Sequence, residues 1–373
     1  MVATLSQDLE LDAQTAAVAR HIIEFDPKAA SGYRFAVAPD TEQAQALVAS
    51  LHPDPIPWPA GLVPMPMTLN PPPADTDPLP KADALIVTYT VAEGEALADV
   101  LTPGRPTQAW TRYRNGWEEL KKSVQKGAPS LMAGKNQAGI WTMTRIGDFS
   151  VVLVKSDLHP STDGPALPIR ALWRQMIGQV QPRLVITTGT AGGVGADTLL
   201  GDVIVSSRVR WDATKRFEHD LWATASYSSA GKQPSHSHFH TANTKLIPVN
   251  AAHLPPAERG PSIVADSAKN PVSVLSTDFF AFDDANNHYG LRTFQPDAKA
   301  VEMDDAALGL ACSDLADPPP WVSVRNASDP QMNAATLAEE TKQAAAIYEQ
   351  YGYWTTVGSA ITCWALVAGL AKK

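Results

Sequence analysis

A run of small residues follows a strongly apolar segment in the middle of the chain. The apolar residues 184–186 lead directly into Thr187-Thr-Gly-Thr-Ala-Gly-Gly-Val-Gly195, and a second β-branched run covers residues 203–205. This order predicts a buried strand that ends in a loop lined by backbone. Because glycine has no Cβ, main-chain N–H groups of such a loop can approach an anion or a sugar oxygen. The segment is therefore a candidate ligand site, and a tight turn between two strands is the alternative.

Two common phosphate-binding motifs do not fit this loop. A dinucleotide fingerprint requires G-x-G-x-x-G at the start of a helix, whereas these glycines are spaced differently and lead toward another strand. A P-loop requires Gly-Lys followed by Ser or Thr, and the loop contains no such sequence. The pattern therefore argues against an NAD-dependent enzyme and against a P-loop nucleotidase.

Composition narrows the class of protein further. The 373 residues are 44% hydrophobic with a net charge of −9, which suits one large α/β domain with additions, or two domains. The acidic balance, without a basic run, argues against nucleic acid as a partner. Cys312 and Cys363 are the two cysteines, too few for a disulfide scaffold or a zinc cluster. The N-terminus lacks the pattern of a secretion signal and the apolar residues 357–371 are few for a membrane span, so we expect a cytoplasmic protein.

The chain divides at about residue 80. Residues 1–80 combine helical spacing over residues 12–23 and a strand over 33–38 with proline-rich stretches, which predicts an N-terminal appendage and a stiff connection. Residues 81–373 alternate strands with helices, which predicts an α/β fold with a mixed, largely buried central sheet. The predicted strands cover 84–88, 139–143, 150–154, 203–205, 272–275 and 321–324. The predicted helices cover 93–100, 163–180, 300–312 and two segments of 334–370 separated near Tyr351-Gly-Tyr, and residues 212–262 form a long excursion.

Five segments lie at predicted strand ends. Each alone is weak evidence for a protein family, and the five in order are stronger evidence. They are Ile86-Val-Thr-Tyr-Thr-Val-Ala-Glu-Gly-Glu-Ala-Leu97, Thr187 to Val194 with Gly201-Asp-Val-Ile-Val205, Leu275-Ser-Thr-Asp-Phe-Phe280, Ala300-Val-Glu-Met-Asp304 and Val324-Arg-Asn-Ala-Ser-Asp329. In order and rough spacing they resemble the nucleoside phosphorylase/nucleosidase superfamily, with motifs most similar to the methylthioadenosine/S-adenosylhomocysteine nucleosidases. The resemblance covers residues 84–370 and leaves out residues 1–80 and about 105–140. It implies a twisted mixed sheet ringed by helices.

The resemblance implies a general acid at the base. Cleavage of a purine N-glycosidic bond moves electrons onto the base, so that a carboxylic acid near N7 can protonate the leaving group. By resemblance this acid is Asp329, with Ser328 beside it holding its geometry. The alternative for Ser328-Asp329-Pro330 is a helix N-cap, since that sequence is typical of a helix start.

The resemblance also implies a sugar- and base-binding set. Glu302-Met303-Asp304 is similar to the segment in which a carboxylate accepts hydrogen bonds from the ribose 2′ and 3′ hydroxyls and the methionine packs on the sugar. The family usually has glutamate where this chain has Asp304, so Asp305 or Glu302 are alternatives for part of that role. Phe280 matches the aromatic residue that stacks on the base. Thr190, Ala191 and Gly192 match the sugar-facing segment, and His159 is a further candidate pocket residue.

The group that attacks the anomeric carbon separates hydrolases from phosphorylases. Phosphorylases hold a dianion with arginine, and this chain has the neutral Thr187 at one such position and Glu93 in the first turn, where a carboxylate would repel phosphate. Nucleosidases are more similar: their glutamate at the Glu93 position acts as a base on water, and Arg325 matches the arginine that orders the water network. The alternative for Glu93 is an ordinary carboxylate in the first turn of a helix, as Glu95 exemplifies.

The resemblance implies an N-glycosyl hydrolase of a purine nucleoside or nucleotide, with no cofactor and no metal. A purine nucleoside phosphorylase and a nucleoside-sensing module with little catalysis are the alternatives. A 5′-phosphorylated substrate depends on whether the basic residues Arg208, Arg210, Lys215 and Arg216 face the pocket or solvent. Family pockets are often completed across an interface, so we expect a homo-oligomer, most simply a dimer. The Ser/His-rich tract at residues 236–240 suggests at most weak surface metal binding.

Overall fold

The computed structural model describes residues 2–29, 51–230, 235–267 and 269–370, with side chains in the first helix described from residue 13 onward. The strands are β1 Met65–Met67, β2 Ala84–Thr88, β3 Thr111–Tyr113, β4 Gly139–Ile146, β5 Phe149–Ser156, β6 Leu184–Gly193, β7 Val203–Ser206, β8 Arg208–Asp212, β9 Ser226–Ser228, β10 Ile263–Ala265, β11 Ser273–Thr277, β12 Ala298–Glu302 and β13 Trp321–Asp329. The helices are α1 Val2–Glu24, α2 Val91–Leu101, α3 Trp117–Leu120, α4 Pro168–Val180, α5 Phe239–Thr241, α6 Leu291–Phe294, α7 Asp305–Ser313 and α8 Leu337–Ala368. The predicted strand over 33–38 lies outside the described residues.

Strand β6 organises a single mixed sheet. All ten of its residues are buried, and it runs parallel to β2 on one side and to β13 on the other. At its end Gly192 and Gly193 leave β2 and pair antiparallel with Val301 and Ala300 of β12. The sheet order through this hub is β1-β4-β5-β2-β6-β12-β11-β8-β9. Strand β13 also pairs with β6, and β7 pairs with β13. The predicted mixed central sheet is confirmed, and the carboxyl ends of its parallel strands meet at one edge.

Helices cover both faces of this sheet. Along β2 the side chains alternate, so that Ile86 packs in a cluster with Trp364 of α8, whereas Val87 packs in the opposite cluster with Trp173 of α4. Helix α2 packs beside α8 on the first face, and α4 packs beside α7 on the second. The near-continuous apolar strands are therefore explained by burial on both faces.

Three predicted elements were wrong in form. The glycine-rich segment is not a loop, because β6 continues to Gly193. The predicted helix over 300–312 is a strand as far as Glu302 and a helix from Asp305 to Ser313. The predicted helix over 163–180 begins only at Pro168, after a series of turns.

The two predicted C-terminal helices are one helix of 32 residues. Gly352 does not interrupt it, because a helix tolerates one glycine at a cost of about 1 kcal/mol and the buried residues beyond it outweigh that cost. The absence of a side chain has a use here, since a Cβ on Gly352 would lie 3.1 Å from ring atoms of Tyr348. Among the described helices, none has the length and apolarity that crossing a bilayer requires.

The N-terminal segment packs onto the rest of the chain. Strand β1 adds to the sheet by pairing antiparallel with β4, and α1 lies against α8. Ion pairs hold the end of α1 in place: Lys135 Nζ lies 2.8 Å from Glu24, and Lys28 Nζ lies 2.6 Å from Asp99 Oδ2. The predicted domain boundary at residue 80 remains a prediction, and the contacts bring α1 to the edge of the sheet where the strand-end motifs meet.

Candidate active site

A single cavity gathers the predicted residues at the carboxyl ends of β2, β6, β12 and β13. Its predicted lining residues are Glu93, Thr190, Ala191, Gly192, Phe280, Glu302, Met303, Asp304, Ser328 and Asp329. The further candidate pocket residue His159 also lines it, and the remaining lining residues are Ile22, Ile23, Thr90, Ala281, Val301 and Tyr348. The cavity has a volume of about 40 Å³. The strand-end motifs, far apart in the chain, are thus neighbours in space.

Asp329 is a buried carboxyl group at the last position of β13. Ser328 causes a bulge in the pairing with β6, so that Ala327 faces Ala191 and Asp329 faces Gly192 in the register. Burial raises the pKa of Asp329 from 3.8 to about 7, and the hydroxyl of Ser328, which donates to Oδ1 at 2.9 Å, opposes that rise. The helix-cap alternative is excluded, because Thr336 caps α8. The carboxyl group therefore holds a proton close to neutral pH.

Glu93 is both a first-turn carboxylate of a helix and a lining residue of the cavity. It is the third residue of α2 and closes a capping box with Thr90, as expected of an ordinary carboxylate in the first turn of a helix. Its side chain also lines the cavity, where Oε1 accepts from the N–H of Thr190 at 2.8 Å and from its hydroxyl at 2.7 Å. Oε2 accepts from the hydroxyl of Thr88 and from the N–H groups of Tyr89 and Thr90. Five donors therefore surround the carboxyl group of Glu93.

Gly189 makes room for that carboxylate. A Cβ at Gly189 would lie 2.5 Å from Oε1 of Glu93, closer than real Cβ atoms approach other heavy atoms. The glycine beside the cavity is therefore required by a close approach between β6 and α2. Gly192 has a milder requirement, since its Cβ would lie 3.1 Å from Oδ2 of Asp329.

Arg325 lies behind the cavity and is not among its lining residues. Its guanidinium is fully buried, donates from Nε to Asp305 Oδ2 at 2.9 Å, and lies 3.2 Å from Glu302 Oε2. Neighbouring carboxylates, Asp305 foremost, raise the arginine's pKa against the effect of burial. A further bond from Nη1 to the carbonyl of Thr190, at 3.3 Å, connects it to the residue that holds Glu93. Arg325 thus compensates buried negative charge, and any effect on a water molecule passes through these partners.

The segment 302–304 presents two carboxyl groups with different surroundings. Glu302 accepts from the hydroxyl of Ser276 and from the backbone N–H groups of Asp304 and Asp305, so its oxygens are used inside the turn. Oδ1 of Asp304 has no hydrogen-bond partner and is buried at the cavity wall. Burial raises the pKa of both carboxyl groups, and the neighbouring negative charges raise it further. Asp304 is therefore the member of the segment that is free to bind a ligand.

Apolar and aromatic side chains also line the cavity. Phe280, at the end of β11, lines it and is 8% exposed. Ile22 and Ile23 of α1 cover it, and the hydroxyl of Tyr348 in α8 donates to Thr90 Oγ1 at 3.0 Å. Ile22, Ile23 and Tyr348 could not be predicted from the sequence, because apolar residues at helical spacing indicate core packing and nothing more specific. The predicted appendage thus supplies part of the site.

The basic residues considered for a phosphate do not line this cavity. Arg208 pairs with Asp266 and Asp297, and Arg210 stacks on Phe294 with its Cζ 3.8 Å from the ring centroid. Lys215 and Arg216 line neighbouring cavities on the outer side of Phe279 and Phe280. In the histidine tract, His236 stacks on Phe239 and His238 contacts the edge of Trp364. Elsewhere, Asp284, His288 and Glu340 bring potential metal-ligand atoms within 4.8 Å of one another, outside the cavity lining.

Comparison with known proteins supports the sequence resemblance. The chain is 30% identical over 164 residues to the 5′-methylthioadenosine/S-adenosylhomocysteine nucleosidase of Listeria innocua, which covers 42% of this chain and 62% of the relative. It is 28% identical over 183 residues to the nucleosidase of the same name from Anoxybacillus flavithermus, covering 48% of this chain and 68% of the relative. The matched part thus spans about three fifths of the first relative's length.

Solved structures similar to this one include two such nucleosidases. One is the Neisseria meningitidis nucleosidase in complex with methylthio-immucillin-A, with 17% identity and a TM-score of 0.46 over 77% of this chain and 99% of the other. The other is a Helicobacter pylori variant with 5′-methylthioadenosine in its active site, with 12% identity and a TM-score of 0.48 over 78% and 99%.

A family model provides the decisive comparison, because it covers most of the segments that form the cavity. The model described as the phosphorylase superfamily matches residues 150–351, more than half of the chain. This range includes the ends of β6, β11, β12 and β13, together with Tyr348 of α8. The chain belongs to the phosphorylase superfamily.

Proposed function

We propose that this protein hydrolyses the N-glycosidic bond of a purine nucleoside. The observation that carries the proposal is one cavity that holds the protonatable Asp329 at one end of the segment 190–192 and Glu93, surrounded by hydrogen-bond donors, at the other. Cleavage of this bond needs an acid at the departing base and a base for the attacking water. The two carboxyl groups supply one of each.

Asp329 takes the acid role in this proposal. A general acid must hold its proton at working pH and give it up in the transition state, so a pKa of about 7 suits the task. Ser328 fixes the carboxyl group through its bond to Oδ1, and Phe280 provides an aromatic face for the base. The departing purine then takes the proton of Asp329 as its bond to the sugar lengthens.

Glu93 takes the base role through a water molecule. Its carboxylate is already surrounded by five donors, and the one on Oε1 that can rotate away is the hydroxyl of Thr190. Rotation of this hydroxyl opens one acceptor position on Oε1, and a water molecule bound there can lose a proton to the carboxylate as it attacks the anomeric carbon. The resulting products are the free base and the free sugar.

The charges around the cavity favour water over phosphate as the attacking group. Neither arginine nor lysine is among its described lining residues, whereas Glu93, Glu302, Asp304 and Asp329 are. Binding a phosphate dianion normally requires arginine or lysine, and carboxylates repel it. Arg325, which lies behind the wall, is engaged with carboxylates there. These observations support hydrolysis over phosphorolysis.

We infer that the apolar cover moves when a substrate enters. The cavity, of about 40 Å³, holds roughly three water molecules at about 10–15 Å³ each. The cover consists of Ile22, Ile23 and Tyr348, and of these Tyr348 is held by its hydrogen bond to Thr90. We therefore place the opening motion in α1. The names of the relatives make 5′-methylthioadenosine and S-adenosylhomocysteine the first substrates to examine.

The test is base release from a panel of purine nucleosides with and without inorganic phosphate. The panel contains adenosine, inosine, guanosine, 5′-methylthioadenosine, S-adenosylhomocysteine and AMP, and the sugar product is analysed as free sugar or sugar 1-phosphate. Asp329→Asn and Glu93→Gln remove the acid and the base. Glu95→Gln is the matched control, because Glu95 is equally buried on the same helix and does not line the cavity.

We expect phosphate-independent release that Asp329→Asn and Glu93→Gln each reduce by at least about a hundredfold and that Glu95→Gln retains. Turnover only with phosphate would replace the proposal by phosphorolysis. Binding of the same nucleosides without any release would replace it by a sensing role.

A further inference from the structure

His159 lies beside Asp304 and has no role in the hydrolysis proposed above. It follows the end of β5, and its N–H donates to Oδ2 of Asp163 at 2.5 Å, which fixes the turn. The side chain is 2% exposed, and its ring lines the cavity next to Met303 and Asp304. A buried histidine held so firmly presents one defined ring edge to a ligand.

Its hydrogen bonds determine which ring nitrogen carries the proton. The N–H of Ser161 donates to Nδ1 at 3.1 Å, so Nδ1 must offer its lone pair. Burial, together with the positive charges of Arg325, Lys155 and Arg216, lowers the pKa of His159 to about 3, so the ring is neutral at physiological pH. A neutral ring with an acceptor at Nδ1 carries its hydrogen on Nε2. The edge that faces Asp304 is therefore a donor.

The donor and the acceptor are adjacent but not joined to each other. Nε2 of His159 lies 3.0 Å from Oδ1 of Asp304, yet Oδ1 has no hydrogen bond of suitable geometry. The other carboxyl oxygen of Asp304 is 3.7 Å from Nη1 of Arg325. A buried acceptor without a partner is costly, and a ligand hydroxyl that donates to it removes that cost.

Asp304 is also shorter than the glutamate that the resemblance leads one to expect. The missing methylene withdraws the carboxyl group from the cavity by about 1.5 Å. The imidazole of His159 occupies the adjacent wall. Its N–H can contact a ligand that the shorter carboxylate of Asp304 does not reach. A hydroxyl group can accept from one neighbour and donate to another, so the pair matches two vicinal hydroxyls.

We propose that His159 is a sugar-binding residue that acts jointly with Asp304: Nε2–H donates to one of the vicinal ribose hydroxyls, while that diol donates to Oδ1 of Asp304. The inference rests on the proposed nucleoside substrate and assigns the recognition of its 2′ and 3′ hydroxyls to this pair. The pairing also explains why residue 304 is an aspartate, since a glutamate there would extend into the space in front of the imidazole edge.

Binding measurements test the pair independently of catalysis. Calorimetric titrations compare adenosine with 2′-deoxyadenosine and 3′-deoxyadenosine in the Asp329→Asn background, where the nucleosides are not consumed. The variants are His159→Ala, His159→Gln, Asp304→Glu and the double change Asp304→Glu with His159→Ala. Glutamine keeps an N–H donor near the position of Nε2, so it serves as the conservative control, and circular dichroism checks that each variant is folded.

We expect His159→Ala to weaken adenosine binding about three- to tenfold, the value of one neutral hydrogen bond. At least one deoxynucleoside should be nearly unaffected by the same change, and His159→Gln should retain most of the preference for adenosine. The effect of His159→Ala should shrink in the Asp304→Glu background, because the longer carboxylate restores the reach.

Equal weakening of all three nucleosides by His159→Ala would overturn the inference and indicate a structural role for the ring. If the intact protein releases no base, but adenosine binding still depends on His159 and on the hydroxyls, the hydrolase proposal fails and this inference stands. If base release occurs and His159→Ala affects ribose and deoxyribose substrates equally, the inference fails and the hydrolase proposal stands.

Discussion

Replacing Asp329 by asparagine should stabilise the protein while it removes activity. The pKa of this buried carboxyl group is raised from 3.8 to about 7, so the folded protein binds its proton more tightly than the unfolded chain does. Between those two pH values the folded state holds more protons, and its stability therefore falls as the pH rises. Asparagine has the same shape and carries no charge at any pH. The stability of the asparagine variant therefore lacks this fall with rising pH.

The magnitude follows from the two pKa values. With about 1.36 kcal/mol for each pKa unit, the aspartate destabilises the folded state by about 0.6 kcal/mol at pH 4, by roughly 1.7 kcal/mol at pH 5 and by about 4 kcal/mol at pH 8. For 373 residues the unfolding entropy is about 0.8 kcal/mol/K, so about 4 kcal/mol corresponds to a Tm increase of roughly 5 °C. Asp329→Asn should therefore raise Tm clearly at pH 8 and hardly at pH 4.

Thermal unfolding of the two proteins at pH 4, 5, 6, 7 and 8, at one scan rate, measures this difference. Asp314→Asn is a control of opposite sign, because Arg170 holds the pKa of Asp314 below its usual value. That change should not stabilise the protein at pH 8. An Asp329→Asn protein that is less stable than the parent at pH 8, or whose advantage is the same at every pH, would refute the reasoning. In the parent protein, kcat/KM should fall as the pH rises through about 7, since the acid then loses its proton.

Three further outcomes follow from the same cavity. Gly189→Ala should reduce kcat strongly in a steady-state base-release assay, because the new Cβ would displace the carboxylate of Glu93. The control is Gly178→Ala, in α4 with open space around its Cβ, which should keep full activity and raise the free energy of unfolding by about 0.5–1 kcal/mol. A Gly189→Ala protein as active as the parent would show that Glu93 tolerates displacement. Ile23→Glu should raise KM about tenfold or more with a smaller effect on kcat, because it adds a charge to the apolar cover of the cavity; an unchanged KM would show that α1 does not contact the substrate. Lys28→Met should loosen the end of α1 by removing its ion pairs with Asp99 and Glu95, and faster proteolysis near residue 28 at unchanged Tm would measure it; an unaltered cleavage rate would assign the anchoring to the apolar contacts.

Much of the candidate site could be predicted because its residues occur at strand ends. The five motifs carry residue types with specific chemistry, and parallel strands bring their carboxyl ends to one edge of a sheet. Ten predicted residues consequently line one cavity. Arg325 is the exception: its position on a buried strand places the guanidinium behind the wall, a direction that spacing does not encode.

Other features depend on long-range packing. The continuity of α8 through Gly352 follows from the burial of its second half, which outweighs the local preference for a break. The extension of β6 to Gly193 follows from its pairing with β12 and β13, residues that lie more than a hundred positions away. Local propensity contains neither interaction.

The sequence by itself determined the family, the mixed sheet and the carboxyl groups available for acid and base chemistry, because these depend on residue type and order. Only the tertiary structure decided the protonation of Asp329, the tautomer of His159 and the cover that Ile22 and Ile23 place over the cavity. Each of these depends on desolvation and on contacts among segments distant in the chain, and those are properties of the surroundings of a residue and not of its type.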